Sequence, residues 1–172
     1  MEARGRGPSR GAPGGMDAMA IGWKRICCPI DFSEPSRFAL RVAADLCQTF
    51  GAELTLFHAY QLPGYTLPEG SVVASPKMLQ ELADQAESHL TEWKGIAEAM
   101  GAKVVKTAKS VGEPALEVVE FARENGVDLL VVGTHGRTGL RHALLGSTAE
   151  RVVRRAGCPV LTVHPEGQAR KA

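Results

Sequence analysis

The chain contains no apolar run that approaches the roughly 18 residues needed to span a bilayer as a helix. The chain also has no excess of charge of either sign, because its 20 Lys and Arg residues and 19 Asp and Glu residues give a formal net charge of +1. Such a balance provides no long-range attraction toward nucleic acid or an anionic surface. We therefore expect a soluble protein, and the composition argues against a membrane or nucleic acid as partner.

Cysteine is scarce, and its four positions, Cys27, Cys28, Cys47 and Cys158, show neither CxxC spacing nor the pattern of a disulfide framework. Cys27 and Cys28 are neighbours in a predicted strand, so their side chains should point to opposite faces of a sheet. Nothing near them in sequence indicates the lowered thiol pKa of a redox sensor. We expect small apolar core residues, in a protein of the reducing cytoplasm.

Several motifs of nucleotide-handling enzymes are missing as well. The chain has no Gly-Lys-Ser/Thr P-loop, no G-x-G-x-x-G fingerprint, no SGGxDS loop and no HIGH sequence. Its histidines show no metal-ligand spacing. These absences argue against rapid phosphoryl transfer.

The first 22 residues differ in composition from the rest of the chain. They are rich in glycine, arginine and proline and almost lack core-forming side chains, so they cannot offset the entropy cost of ordering. They also lack the apolar segment of a signal peptide. We predict a disordered extension over 1–22, one globular domain over 23–165 and a short tail over 166–172.

Within the domain, short apolar runs alternate with helix-length segments, which predicts an α/β fold with a parallel sheet. We expect strands near 25–30, 53–59, 103–109, 128–132 and 159–163, and helices near 34–50, 77–100, 114–125 and 147–156. Ligands of such open sheets bind beyond the carboxyl ends of the strands, where the strand order reverses. The proline- and glycine-rich segment 61–76 follows the second strand, and it is either a lid at that edge or a simple connection.

The most informative stretch is Gly133-Thr134-His135-Gly136, followed nine residues later by Gly146-Ser147-Thr148. The apolar run 129–132 leads into it, and Ser147 with Glu150 three residues later has the spacing of a capping box. A strand, a glycine loop and a helix N-terminus in this order can hold phosphate, because backbone N–H groups approach the anion closely. We interpret the stretch as a nucleotide phosphate site, although the glycines could be turn residues alone and the hydroxyls capping residues alone.

The pattern Gly-x2-Gly-x9-Gly-Ser/Thr resembles the nucleotide-binding motif of the ATP-binding branch of the universal stress protein family. Ile26–Glu34 is similar to that family's first strand and its Pro-x-Asp-x-Ser turn, and 54–59 and 158–163 resemble its second and last strands. The resemblance covers Trp23 to His164. It implies a Rossmann-like α/β fold: a single open parallel five-stranded sheet, helices on both faces, and strand order 3-2-1-4-5.

The resemblance also implies where a nucleotide would bind. Asp31 would contact the ribose or, through Mg²⁺, the phosphates, and the backbone of Ala59 would contact adenine. Arg137 would contact phosphate, whereas His135 would orient the loop rather than act as a general base. Helix-start chemistry is the alternative for this turn; it explains Ser33 as an N-cap but leaves Asp31 without a structural role. The predicted nucleotide-binding residues are Pro29, Asp31, Ala59, Gly133, His135, Gly136, Arg137, Gly146, Ser147 and Thr148, with Asp31 also the metal ligand and no catalytic residue.

The resemblance finally implies a nucleotide-dependent switch in stress response that binds ATP with Mg²⁺ and hydrolyses it slowly, if at all. It also implies a homodimer that forms through the last strand, Pro159 to Val163, a short apolar edge that needs cover. Two other functions stay open. One is a slow ATPase that uses His135 or Asp31, and the other is a protein-interaction module whose glycine loop is only structural.

Overall fold

The computed structural model of the protein describes residues 22–61, 65–67, 70–72, 75–134 and 145–164. The predicted extension over 1–22, except Gly22, and the predicted tail over 166–172 lie outside these residues. Three predicted site residues, His135, Gly136 and Arg137, also lie outside them. The predictions made for those positions stay predictions.

Strands and helices alternate along the chain, as the apolar pattern predicts. The elements are β1 (Arg25–Pro29), α1 (Glu34–Phe50), β2 (Glu53–Tyr60), β3 (Tyr65–Leu67), β4 (Gly70–Val72), α2 (Pro76–Ala99), β5 (Val105–Val111), α3 (Pro114–Glu124), β6 (Leu129–Gly133), α4 (Ser147–Arg155) and β7 (Val160–Val163). The five predicted strands and four predicted helices are confirmed, with small shifts at their ends. Strands β3 and β4 were not predicted. They pair antiparallel within the segment 61–76, and three residues are too few to show the alternation that marks a strand.

The main sheet has five strands in the order β5-β2-β1-β6-β7, and every pairing is parallel. This confirms the order 3-2-1-4-5. Strand β1 lies at the centre, where Ile26 is in register with Leu54 of β2 on one side and with Leu129 of β6 on the other. The chain winds outward in both directions from this point. The connections that follow β1 and β6 therefore leave in opposite directions, which makes this the topological switch point.

Each face of the sheet buries its own core, which confirms the prediction of helices on both faces. Helices α1 and α2 cover one face and contribute Leu40 and Leu90 to its core. Helices α3 and α4 cover the other face and contribute Val118 and Val152. Because neighbouring strand residues point to opposite faces, the buried side chains of β1 are divided between two separate apolar clusters.

The cysteines follow this division. Cys28 lies in the core under α1 and α2, and Cys27 lies in the core under α3 and α4. All four thiols are free; Cys47 is buried and Cys158 half-buried. Burial raises the pKa of the Cys47 thiol to about 11, which keeps it protonated near neutral pH. The prediction of small apolar core residues is confirmed for Cys27, Cys28 and Cys47, whereas Cys158 is only partly buried against the core.

The long helix α2 packs unevenly. Leu90, Trp93 and Ala97 in its C-terminal half are buried, whereas Leu79 and Leu82 in its N-terminal half are only half-buried. The apolar face of α2 is therefore fully covered only toward the C-terminus. Although α2 has 24 residues, no helix in the described part of the chain combines the length and apolar character needed to cross a membrane.

Candidate functional site

A cleft of about 310 Å³ opens at the carboxyl edge of the sheet, between the ends of β1 and β6 and the first turn of α4. We call it the switch-point cleft. Its volume lies in the range of about 300–1,000 Å³ that small-molecule sites occupy. It brings together every predicted site residue that the structure describes: Pro29, Asp31, Ala59, Gly133, Gly146, Ser147 and Thr148.

The floor of the cleft is apolar. Phe57, Val118, Val132 and Val152 line it, and Phe57 is supported from beneath by Phe121, whose ring centroid lies 4.6 Å away in a stacked arrangement. No functional signal marked these residues in the sequence, since their apolar periodicity indicates only that they belong to the core. A flat apolar group can lie on this surface without loss of hydrogen bonds.

Asp31 is held firmly at the mouth of the cleft. Its Oδ1 accepts a hydrogen bond from the backbone N–H of Ser33 at 3.1 Å and further hydrogen bonds from the hydroxyls of Ser33 and Ser36. The helix-start reading of this turn, which left Asp31 without a structural role, was wrong on that point, because the carboxylate organises the start of α1. Ser33 is confirmed as the N-cap of that helix. Asp31 thus serves the fold and lines the cleft at once.

The start of α4 differs from its prediction. Gly146, with φ −67° and ψ 153°, is the N-cap residue and Ser147 is the first residue of the helix. Glu150 forms an ion pair with Arg154 at 3.2 Å instead of closing a capping box. The backbone N–H of Gly146 donates to the carbonyl of Thr134 at 2.6 Å, which ties it in the extended conformation of a cap. The prediction of Ser147 as N-cap was therefore wrong by one residue.

This shift leaves the first turn of α4 without a side-chain cap. The first N–H groups of a helix have no partners within it, and together with the helix dipole they favour an anion. Ser147 and Thr148 belong to that turn and line the cleft. The cleft thus ends at a helix N-terminus that no described side chain caps.

Gly133 has a packing reason to be glycine. A Cβ built at this position would lie 3.0 Å from the carbonyl oxygen of Pro35 and 3.4 Å from the backbone nitrogen of Ser36. The end of β6 therefore touches the first turn of α1 backbone to backbone. This contact brings together the glycine stretch and the Asp31 turn, which lie about a hundred residues apart in the sequence.

Thr134, which was not among the predicted site residues, connects the cleft to the edge strand. It is completely buried, its backbone N–H donates to the carbonyl of Val163 at 2.9 Å, and its hydroxyl lies 2.9 Å from Nδ1 of His164. Its place inside the Gly-x-x-Gly stretch was visible in the sequence, but its partners, at the last residue of β7 and the residue after it, have no local signature. Thr134 anchors the point where the chain leaves β6.

An open doubly wound α/β domain with a ligand cleft at its switch point is the class of protein that these features define. The model of the universal stress protein family matches residues 22–164, nearly the whole of the described chain. The chain belongs to the universal stress protein family, which confirms the resemblance found in the sequence.

Individual relatives agree with this assignment. Universal stress protein MJ0531 of Methanocaldococcus jannaschii is 41% identical over 143 residues, which are 82% of each chain. Universal stress protein MJ0577 of the same organism is 32% identical over 159 residues, covering 84% of this chain and 97% of its own. A solved structure of a universal stress protein in complex with cAMP has a TM-score of 0.62 and 29% identity, covering 84% of this chain and 98% of that chain.

Proposed function

We propose that this protein binds ATP with Mg²⁺ in the switch-point cleft and acts as a nucleotide-dependent switch in stress response. The observation that carries the proposal is the N-terminus of α4, which borders the cleft without a side-chain cap. The cAMP complex of a 29% identical family member supports an adenine nucleotide as the ligand.

The chemistry of the cleft suits the two ends of a nucleotide. The apolar floor around Phe57 and Val118 suits a purine ring, with the backbone of Ala59 at its margin. The first turn of α4 suits the phosphates, because its amides and dipole favour negative charge. In this proposal the glycine stretch that includes Gly136 contributes to the phosphate site, Arg137 contacts phosphate and His135 orients the loop.

A nucleotide-bound Mg²⁺ also fits the residues present. Mg²⁺ at such sites takes one or two carboxylates from the protein, with phosphate and water oxygens completing its octahedron. Asp31 provides one carboxylate at the mouth of the cleft. Among the described residues no group of three or more metal-ligating side chains occurs, so we assign Mg²⁺ to the nucleotide rather than to a protein cage. Bound there, it would neutralise phosphate charge beside Asp31.

We expect hydrolysis of the bound nucleotide to be slow. The polar side chains that line the cleft in the described part of the chain are Asp31 and the hydroxyls of Ser36, Thr134, Ser147 and Thr148. These include no histidine or lysine that could act as a general base, and Asp31 already accepts three hydrogen bonds. This set of residues supports nucleotide binding that switches the state of the protein, rather than turnover of the nucleotide.

Isothermal titration of nucleotide-stripped protein with Mg-ATP tests the proposal. We expect saturable binding, and we expect Gly146→Asp to weaken it at least tenfold, because a carboxylate at the N-cap would occupy the free amides and repel phosphate. Gly146→Asn is the matched control, since asparagine caps comparably without charge, and should weaken binding less. No saturation up to about 1 mM, near −4 kcal/mol, would contradict the proposal.

We further propose that β7 mediates a homodimer. It is an outer strand of the sheet, and Leu161 on it and Val153 on the neighbouring helix α4 are exposed apolar side chains. Unpaired strand edges tend to be covered. Light scattering after size exclusion should give twice the chain mass at about 50 µM, and Leu161→Lys should shift it toward the monomer. A wild-type monomer at that concentration would refute the dimer.

A further inference from the structure

A second cleft, of about 560 Å³, lies at the same edge of the sheet between the end of β2 and the N-terminal half of α2. We call it the α2 cleft. Successive residues of a strand point to opposite faces, so Phe57 lies in the core under α3 and α4 while His58 lines the α2 cleft. The two clefts adjoin each other, because Asp31, Ala59 and Pro114 line both.

Aromatic rings dominate the inner wall of the α2 cleft. The ring of Phe32 lies 4.4 Å from that of His58 and 5.0 Å from that of His89, between centroids. His58 and Tyr60 are nearly parallel, with 14° between their planes at 6.1 Å. His58 is buried, and its Nδ1 lies 2.8 Å from the carbonyl oxygen of Ile30, which fixes its ring. The wall is therefore a cluster of rings that contacts within the fold hold in place.

The backbone at Phe32 shows that this arrangement is imposed. Its φ of +64° lies in the left-handed region, which no other non-glycine residue in the described part of the chain adopts. Bulky residues rarely take this conformation, and it persists where surrounding contacts enforce it, often at ligand sites. Here it lets Asp31 line the mouth of the switch-point cleft while the following ring packs toward Trp93 of α2, at 5.7 Å.

The polar groups of the α2 cleft indicate what it binds. Gln61 and Gln85 supply amides, and no lysine or arginine is among its described lining residues. A second phosphate would find no positive side chain there. A flat heteroaromatic group would stack on the rings and hydrogen-bond the amides through its edge, as bases do on aromatic platforms.

We propose that the ligand is an adenine dinucleotide, two adenosines joined through a phosphate chain. One nucleotide occupies the switch-point cleft as proposed above, on which this inference rests, and the second base stacks in the α2 cleft. The phosphate chain passes the shared boundary at Asp31 and Pro114. The α2 cleft then sets specificity between mononucleotides and dinucleotides.

Titration with a matched pair of ligands tests this inference. Diadenosine tetraphosphate and adenosine tetraphosphate differ only in the second adenosine. With Mg²⁺ present, we expect the wild-type protein to bind the dinucleotide about tenfold more tightly, which is within the range of one base stacked on aromatic side chains. Tyr60→Ala and His89→Ala should remove that preference and leave the affinity for adenosine tetraphosphate unchanged.

His89 is exposed on α2, where alanine is the best helix former, so His89→Ala keeps the test valid if Tyr60→Ala fails to fold. Equal affinity of the wild-type protein for the two ligands would overturn the inference. Equal weakening of both ligands by the variants would also overturn it, because the α2 cleft would then belong to the mononucleotide site. If adenosine tetraphosphate binds and the dinucleotide has no advantage, only this inference fails; if neither binds, the proposed function fails with it.

Discussion

The N-termini of α1 and α4 lie at the same edge of the sheet and border the same cleft, yet they differ in how they are capped. The start of α1 is closed by its own side chains: Ser33 caps the helix and its hydroxyl donates to Asp31. The start of α4 has glycine at its N-cap, and no side chain in the described ranges caps it. A helix start that satisfies its own donors is a structural element, whereas one that does not retains donors for a ligand.

The other two helices follow α1 rather than α4. Ser75 caps α2 and accepts from the backbone N–H of Met78 at 3.2 Å. Glu113 caps α3 and accepts from the backbone N–H of Leu116 at 3.0 Å. Among the four helices that the structure describes, only the one that closes the switch-point cleft therefore has an uncapped start.

The largest expected effect comes from breaking the contact between the end of β6 and the first turn of α1. Gly133→Ala would place a methyl group 3.0 Å from the carbonyl oxygen of Pro35, and neither backbone can yield without moving β6 or α1. We expect a loss of about 1–3 kcal/mol in the free energy of unfolding, as for overpacked cores, measured by urea denaturation. Nucleotide affinity should fall as well, because Gly133 at the end of β6 and Ser36 in the first turn of α1 both line the cleft.

Gly157→Ala is the matched control for this prediction. A Cβ at Gly157 would meet no atom within 4 Å, so we expect the free energy of unfolding to stay within about 0.5 kcal/mol of the wild type. Equal stability of the two variants would show that the contact between β6 and α1 is not tight.

A smaller effect follows from removing the cap of α1. Ser33→Ala deletes the N-cap acceptor and one donor to Asp31, and loss of an N-cap costs roughly 1 kcal/mol. We expect a decrease of that size in the free energy of unfolding. Nucleotide affinity should fall with it if the hydroxyl of Ser33 holds Asp31 in place. An unchanged free energy of unfolding would mean that α1 does not depend on this cap.

The smallest effect on stability is expected at α4, where the same change should behave differently. Ser147 is the first residue of α4 and not its N-cap, so Ser147→Ala should change the free energy of unfolding by less than about 0.5 kcal/mol. Affinity for Mg-ATP, measured by titration, should still fall several-fold because Ser147 lines the cleft. A loss of stability as large as that of Ser33→Ala would erase the distinction between the two helix starts.

Periodic features of the chain were predictable from the sequence. The apolar runs of β1 and β6 and the spacing of Leu90, Trp93 and Ala97 on α2 identify elements and their buried faces, because a strand repeats every two residues and a helix about every 3.6. Strand order and the convergence of Asp31 with Gly133 came instead from the family resemblance, and both are found in the structure.

Features that depend on contacts between distant residues were not predictable in the same way. The hydrogen bonds to Asp31 are local. The shift of the α4 N-cap to Gly146, in contrast, depends on the carbonyl of Thr134, which lies twelve residues earlier in the sequence. The α2 cleft had no signature, because Phe32, His58 and His89 are far apart along the chain. The strands β3 and β4 were too short to detect.

By itself, the sequence determined the composition of this protein's parts: two apolar faces for the sheet, four amphipathic helices and a glycine stretch that follows a strand. These are local properties, since propensity and periodicity act over a few residues. Only the tertiary structure decided how these elements contact one another and how their ends are capped. These features include the close contact of Gly133 with Pro35, the uncapped start of α4 and the two clefts that meet at Asp31. Those features arise from close packing between elements distant in sequence, where an ångström of separation decides which groups are satisfied within the fold.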